Sequence, residues 1–318
     1  MTRPDELIGV ILAAGMGTRM HPFEKLPKPL LPILNRPLLS YQLDHMARLG
    51  IKKLIIVVGY YGFEIVRRIG DGSELGLEIE YVHQEQTLGI AHAVGELESR
   101  IDRPFVLFLG DVYFRCPDLS GLVLPLLSGE ANAVLAATRE ENIESLQRNF
   151  AILTNEDGSV KKVMEKPRHP ATNLKGCGLY AFDLHIFDAV RRTPRTAARD
   201  EYEITESIEL LIQDGFRVTF MEDVIEDSNL TYPSDLLDVN QRELSLQGRE
   251  RWIGEDFNGP PPSNVKNSVI GDRVRIPPSI KVSNSLIFSD VVIEDEHDLD
   301  WSILTPKKQF SFSERTES

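Results

Sequence analysis

The sequence predicts an α/β fold built on a doubly wound, mostly parallel sheet, followed by a separate repeat region. Two patterns predict the sheet. Short, wholly apolar runs recur at Leu7–Ala13, Leu54–Val58 and Phe105–Leu109, the mark of strands buried on both faces. Amphipathic stretches with helical spacing lie between such runs, as in Leu38, Leu39, Leu43, Met46 and Leu49. A third pattern predicts the tail. Ile270, Ile276, Val282 and Phe288 lie six residues apart, as do Val274, Ile280, Leu286 and Val292, which is a hexapeptide repeat of the β-helix kind.

Taken in order, the first strand leads into Gly15-Met16-Gly17-Thr18-Arg19. Asn35-Arg36-Pro37 predicts a helix start, and Gly50 its stop. Phe63–Ile69 reads as a short helix and Leu77–Val82 as a strand with one exposed side. After Asn149 the order changes. Phe150–Leu153, Val160–Met164 and Leu179–Phe182 are short strands around the turn Asn155-Glu156-Asp157-Gly158 and predict an antiparallel insertion over the mouth of the sheet. Ile204, Ile208, Leu211 and Ile212 mark a helix, Phe216–Met221 a strand, and Pro233–Leu246 a long helix. The expected domains are 1–250, a Pro-rich linker at 251–264, a β-helix at 265–306 and a disordered tail at 307–318.

Composition narrows the function. The 318 residues carry a net charge of −14, which disfavours a nucleic-acid partner. No apolar run approaches the ~20 residues of a membrane span, and the polar start of the chain is too short for a signal peptide. Cys116 and Cys177 stand far apart, which suits a reducing, cytoplasmic setting rather than a disulfide framework. The seven histidines show no metal-ligand spacing and read as surface or packing residues.

Two glycines with one residue between them, an arginine, and a lysine in Leu26-Pro27-Lys28-Pro29-Leu30-Leu31-Pro32 suggest a phosphate-binding loop at a strand's C-terminal end. The dinucleotide fingerprint fails, because Met20 occupies the third glycine position, and no Gly-Lys-Ser/Thr follows for a P-loop. The local alternative is a tight strand-to-helix turn carrying surface charge.

The whole stretch resembles the signature of the sugar-1-phosphate nucleotidylyltransferases, whose pattern is Leu-Ala-x-Gly-x-Gly-Thr-Arg-Met/Leu and then Pro-Lys-x-Leu-Leu-Pro. Leu12, Ala13, Gly15, Gly17, Thr18, Arg19, Met20, Pro27, Lys28, Leu30, Leu31 and Pro32 fill it. The resemblance spans about Leu7 to Asn240. It implies a Rossmann-like nucleotidyltransferase domain, compatible with a short left-handed β-helix at the C-terminus.

It also implies roles. Leu12, Ala13, Ala14, Gly15, Gly17 and Thr18 would bind the nucleotide, with Arg19 on the β/γ-phosphates and Lys28 on the α-phosphate. Gln84 and Gly89, in Leu88-Gly89-Ile90-Ala91-His92-Ala93, would recognise the base. An amide suits uracil or thymine because it both donates and accepts; otherwise this is a polar loop before a helix cap. Glu165-Lys166-Pro167 would hold the sugar hydroxyls and the sugar phosphate, unless it is a surface charge pair. Ala151 and Gly176 would line the sugar pocket, although Phe150-Ala151 departs from the usual Tyr/Phe-Gly and Gly176-Cys177-Gly178 from Asn-Ala-Gly. Asp111, after Gly110, would hold Mg2+ unless it is an Asx-turn or cap aspartate. Asn229, aligned through Pro233 and Asp235, would be the second metal residue, with Asp227 the competitor two residues away. Glu201-Tyr202-Glu203-Ile204-Thr205 is expected to be structural.

The expected reaction joins a nucleoside triphosphate, dTTP or UTP, to a hexose 1-phosphate, with glucose 1-phosphate the first choice. It releases pyrophosphate and needs Mg2+ but no protein nucleophile. The alternative is a non-catalytic, nucleotide-sugar-binding regulator. A glycosyltransferase of similar fold would call for an Asp-x-Asp pair, which Asp111-Val112-Tyr113 lacks. The tail is expected to serve assembly of a homo-oligomer.

Overall fold

The structure, a computed structural model, describes residues 7–15, 17, 23, 26–197 and 199–312. It falls into two compact units. The first comprises 1–16 and 41–227, the second 17–40 and 228–318.

The first unit is organised by one nine-stranded sheet. Its strands are β1 (Ile8–Ala13), β2 (Lys53–Val58), β3 (Glu78–His83), β4 (Phe105–Leu109), β5 (Ala133–Arg139), β6 (Phe150–Thr154), β7 (Val160–Glu165), β8 (Leu174–Phe182) and β9 (Val218–Met221). The path runs β7-β6-β8-β4-β1-β2-β3, with β5 on β8 and β9 on β5. The parallel block is β3-β2-β1-β4, with Val10 opposite both Ile55 and Leu107. This is the doubly wound core expected from the apolar runs, each of which fills its strand with buried side chains.

The expected antiparallel insertion is present as pairing but not as a separate layer. Strands β6, β7 and β8 extend the same sheet, β8 running antiparallel to β4, β5 and β6. A register shift on β8 between Gly176 and Tyr180 marks a bulge, and Gly178 has the φ of +70° that such a kink uses. Before the bulge Lys175 faces Ala151 on β6; after it Leu179 faces Phe108 on β4. Packed on the sheet are Ile90–Gly95, Ile186–Arg192 and Ile204–Gln213, whose buried residues join Phe105, Tyr180 and Phe182 in one core.

In the second unit Pro32–Ile33 and Arg36–Pro37 form a small antiparallel hairpin. This corrects the helix start expected at Asn35–Pro37: the helix is Leu38–Arg48. Leu34 and Asn35 both take left-handed φ values, 45° and 64°, the geometry of a two-residue hairpin turn. The helix Pro233–Leu246 braces it, because Asn240 Oδ1 accepts from Leu34 N and Asn240 Nδ2 donates to the Pro32 carbonyl, both at 2.9 Å. Asp235 caps the first turn, accepting from the N–H groups of Thr231 and Tyr232.

The tail is a stack of short parallel strands compatible with a β-helix. Arg251–Ile253, Ser268–Ile270, Leu286–Ile287 and Ser302–Leu304 form one ladder, and Val265–Lys266, Val282–Ser283 and Leu299–Asp300 another. A third side is tied through Asn258, Arg275 and Val292. Gln309–Ser311 closes the first ladder antiparallel to Ser302–Leu304.

The step between stacked residues is 17, seen where Ser268 Oγ accepts from Ser285 N and Ser285 Oγ from Ser302 N. Two left-handed corners repeat at the same step, Asn267, Asn284 and Trp301, and Asp256, Arg273 and Asp290. The six-residue series therefore needs correction. Three hexads would stack Phe288 on Ile270, but a coil one residue shorter puts Ile287 there and leaves Val292 61% exposed. Both tryptophans lie here, Trp252 beneath the Arg249 guanidinium at 4.9 Å and Trp301 at the last left-handed corner. Among the described residues no helix is long and apolar enough to cross a membrane.

Candidate active site

In the first unit the parallel strands end together. Leu12 lies opposite Leu109 and Ala13 opposite Val58. Backbones meet there so closely that side chains are excluded. A Cβ on Gly110 would lie 2.7 Å from the Leu12 carbonyl, and one on Gly59 2.5 Å from that of Ala14. Gly15, by contrast, is exposed, and among the described residues no atom lies within 4 Å of where its Cβ would stand. Gly15 is thus the exposed residue at these strand ends, where open α/β sheets bind ligands.

Asp111 follows Gly110, whose N–H donates to the Leu12 carbonyl at 2.8 Å. A residue that the sequence reading missed braces this turn. Gln42, 1% exposed, donates from Nε2 to the carbonyls of Leu109 and Val112, both at 2.8 Å, so one amide brackets Gly110-Asp111. Its Oε1 is buried and, among the described residues, has no hydrogen-bond partner.

Gln84 is 5% exposed and 3.3 Å from His92 Nδ1. Gly89 has φ of 116°, and a Cβ there would overlap the Tyr202 backbone. Tyr202 N–H donates to the Leu88 carbonyl and its carbonyl accepts from Ala91 N. The segment around Tyr202 therefore holds the Gly89 loop by a two-bond backbone clasp.

On β7 and the residue after it, Glu165 and Lys166 meet. Lys166 Nζ donates to Glu165 Oε1 at 3.0 Å, and Arg199 reaches the same oxygen at 3.1 Å. Lys166 sits at φ 41° with its N–H on the Asn149 carbonyl. Thr205 approaches Glu165 Oε2 at 3.4 Å. Arg199 also pairs with Glu203 at 2.6 Å. Burial raises the Glu203 carboxyl above the usual range, helped by Glu165 and opposed by Arg199. Arg199 was missed; its four-residue spacing to Glu203 was the available signal.

Ala151 is fully buried and faces Lys175 across the sheet. The face of Gly176 is filled by the Phe150 ring, which leaves no room for a Cβ and stacks on Tyr180 at 5.9 Å. Lys175, also missed, is 5% exposed and pairs with Asp227 at 2.9 Å and Glu140 at 3.3 Å. Burial pushes the neighbouring Cys177 thiol up, and the Asp227 charge adds to this.

In the second unit Gly17 has φ of 58°, and the Lys28 stem lies over it, 2.9 Å from where a Cβ would stand. Lys28 opens a single 3-10 turn, Lys28–Leu30, behind Pro27. Asn229 is exposed and ends the strand Glu226–Asn229, its carbonyl accepting from Thr231 N. Thr18 and Arg19 lie outside the described residues. Among the described residues no three His, Cys, Asp or Glu side chains gather as a metal cage.

The nucleotidyl transferase family profile matches residues 8–243. The UTP–glucose-1-phosphate uridylyltransferase AglF of Haloferax volcanii is 35% identical, over 73% of this chain and 95% of its own. A glucose-1-phosphate thymidylyltransferase of Streptomyces antibioticus is 32% identical, over 89% and 77%. A UDP-glucose pyrophosphorylase solved with UDP-glucose shares the fold with a TM-score of 0.65 at 21% identity, over 75% of this chain and 98% of that one. With a profile spanning most of its length and relatives of this kind, the chain belongs to the nucleotidyl transferase family.

Proposed function

We propose that the chain is a sugar-1-phosphate nucleotidylyltransferase that uses dTTP or UTP and glucose 1-phosphate. The observation that carries this reading is the pair of cations, Lys166 and Arg199, converging on one oxygen of Glu165. A sugar phosphate brings both things this cluster can bind, an anion for the cations and hydroxyls for the carboxylate. The uridylyl- and thymidylyltransferase relatives support the choice of bases.

In the reaction a sugar-phosphate oxygen attacks the α-phosphorus in line. A P–O bond forms, the α–β bridging P–O bond breaks, and pyrophosphate leaves with the electron pair. The chain's task is to position and to neutralise charge. Lys166 and Arg199 orient the attacking phosphate; Arg19 and Lys28 hold the triphosphate; Gln84 and Gly89 take the base, while Ala151, Glu165 and Gly176 bound the sugar.

Nucleotidyltransferases of this family typically use a divalent metal, and Mg2+ fits the donors here. Magnesium favours one or two carboxylates plus substrate phosphates over a protein cage, and the described residues offer the strand-end Asp111 without any three-ligand cluster. Asp111 and Asn229 would hold it, and it would supply positive charge to the phosphates.

Both cysteines are free and buried, as a cytoplasmic setting would leave them. The short coil stack supports a homo-oligomer, for which light scattering is the test.

A pyrophosphate-release screen of nucleoside triphosphates against sugar 1-phosphates tests the reading. Release with dTTP or UTP and glucose 1-phosphate is expected, reduced about 100-fold or more in Lys28→Ala and Lys166→Ala. Release with no pair would instead indicate a non-catalytic regulator.

A further inference from the structure

Gln84 stands at the strand ends, one residue past β3, with its N–H on the Val58 carbonyl at 2.9 Å. Val58 in turn lies opposite Ala13. The Gln84 side chain is buried, and its Nε2 meets His92 Nδ1 at 3.3 Å. The His92 ring is itself held. It sits on the helix Ile90–Gly95 and stacks on Tyr202 at 6.1 Å, with planes 26° apart. The Arg195 guanidinium lies over the Tyr202 ring, 5.7 Å from its centre. The Tyr202 backbone clasps the start of the same helix through Leu88 and Ala91. Glu96, one turn further on, comes within 4.0 Å of His92 Nδ1.

An imidazole beside an amide decides which way round the amide sits. A bare Nδ1 takes a hydrogen from Gln84 Nε2, whereas a protonated Nδ1 would take up Oε1 instead. The sense matters because an amide offers an acceptor and a donor side by side. Uracil and thymine present N3–H beside a carbonyl, a donor and then an acceptor. Cytosine presents a bare N3 beside an amine, the reverse pattern. An amide locked one way round matches one pattern and sets donor against donor and acceptor against acceptor in the other. Leaving such groups unpaired in a buried site is what makes the rejection large.

We propose that His92, with its proton on Nε2, locks the Gln84 amide in the sense that reads uracil or thymine and rejects cytosine. His92 is then a positioning residue that sets base specificity through Gln84, and Tyr202 is the face that keeps its ring in place. The proposal rests on the nucleotidylyltransferase reading, which puts the base at Gln84 and names the two bases. The lock itself rests on the contact between Gln84 and His92.

The test uses the full-length chain and compares kcat/KM for UTP with that for CTP, or dTTP with dCTP if thymine is the base. His92→Phe keeps a ring on Tyr202 but loses the nitrogen. It should lower the UTP-to-CTP ratio about tenfold or more, with the KM for the sugar 1-phosphate within about twofold of the parent. His92→Asn, whose Oδ1 stands close to the place of Nδ1, should recover part of the ratio. In a Gln84→Ala background, His92→Phe should change the ratio no further, because the two residues act as one. Equal losses for both nucleotides would overturn the proposal and leave His92 a packing residue, as would an unchanged ratio. Calorimetry with UDP and CDP separates this from the functional reading. If the parent releases no pyrophosphate, that reading falls, and the loss or retention of its UDP preference in His92→Phe then decides the proposal. A parent without any UDP preference overturns it.

Discussion

Lys175 and Asp227 form an ion pair of 2.9 Å with 6% and 3% of their side chains exposed. They come from strands far apart in sequence, and Glu140 completes the group at 3.3 Å. Burial pulls the lysine pKa down, but Asp227 and Glu140 more than reverse this, leaving it raised. The ammonium therefore stays charged through the neutral range.

Replacing that lysine should be costly. Lys175→Met leaves two carboxylates with no buried cation, and breaking such a group typically costs about 3–5 kcal/mol. Denaturant unfolding should show the loss, and Lys175→Met/Asp227→Leu should regain part of it. A cost below about 1 kcal/mol would mean that water reaches the site and screens it.

The same pair bears on the metal. Asp227 is committed to Lys175, whereas Asn229 is exposed at the strand end. Asn229→Ala is expected to raise the Mg2+ concentration for half-maximal rate, and Asp227→Asn to lower the melting temperature without changing it. Chelation should abolish turnover in all variants. If Asp227→Asn shifts the Mg2+ requirement and Asn229→Ala does not, Asp227 is the ligand.

Gln42 offers a test of how Asp111 is placed. Gln42→Leu keeps the volume but leaves the carbonyls of Leu109 and Val112 unpaired, at about 1–3 kcal/mol for each buried group. Beyond that stability loss, the Mg2+ requirement should rise, because the turn holding Asp111 loses its brace. Gln42→Leu with a normal Mg2+ profile would make Gln42 purely structural.

His45 sets a pH dependence. It is 6% exposed, stacked on Phe114 at 4.5 Å, with an Arg48 nitrogen 2.9 Å from Nδ1. Burial first, then the Arg48 charge, lower its pKa to about 4. The unfolded chain, with a pKa near ~6.5, binds a proton in this window that the folded chain does not. Stability should therefore fall as pH drops from about 6.5 to about 4, by roughly 3 kcal/mol from this group. His45→Gln should flatten that part of the melting curve relative to the parent; parallel curves would overturn the assignment.

Much of this was legible in the sequence. Leu54–Val58 could only be a buried strand, and Pro233–Leu246 carries its own start in Pro233 and Asp235. Lys175 was not legible, since it sits in an ordinary strand and its partners lie at Glu140 and Asp227, with no local spacing to link them. Ala151 and Gly176 drew attention as a sugar pocket, while the packing of the Phe150 ring over Gly176 depends on tertiary contact. The coil length was misread because apolar spacing was counted in sixes. The better signal was the triplet of serine followed by two aliphatic residues, at Ser268, Ser285 and Ser302. Arg36–Pro37 misled because proline before an apolar run suits a hairpin edge as well as a helix start.

The placement of the two tryptophans gives the molecule a built-in optical division. Trp252 and Trp301 are the only indoles in the chain, and both belong to the C-terminal stack. Excited at the red edge of protein absorption, the nine-stranded sheet is dark, and emission reports the coils alone. Trp252, under a guanidinium, lies on the first parallel strand of the ladder, and Trp301, at a left-handed corner, directly precedes the last parallel one. Fluorescence therefore follows the melting of the stack at its first and last parallel strands, while far-ultraviolet dichroism sees the whole chain, and the gap between the two curves measures how independently the stack comes apart.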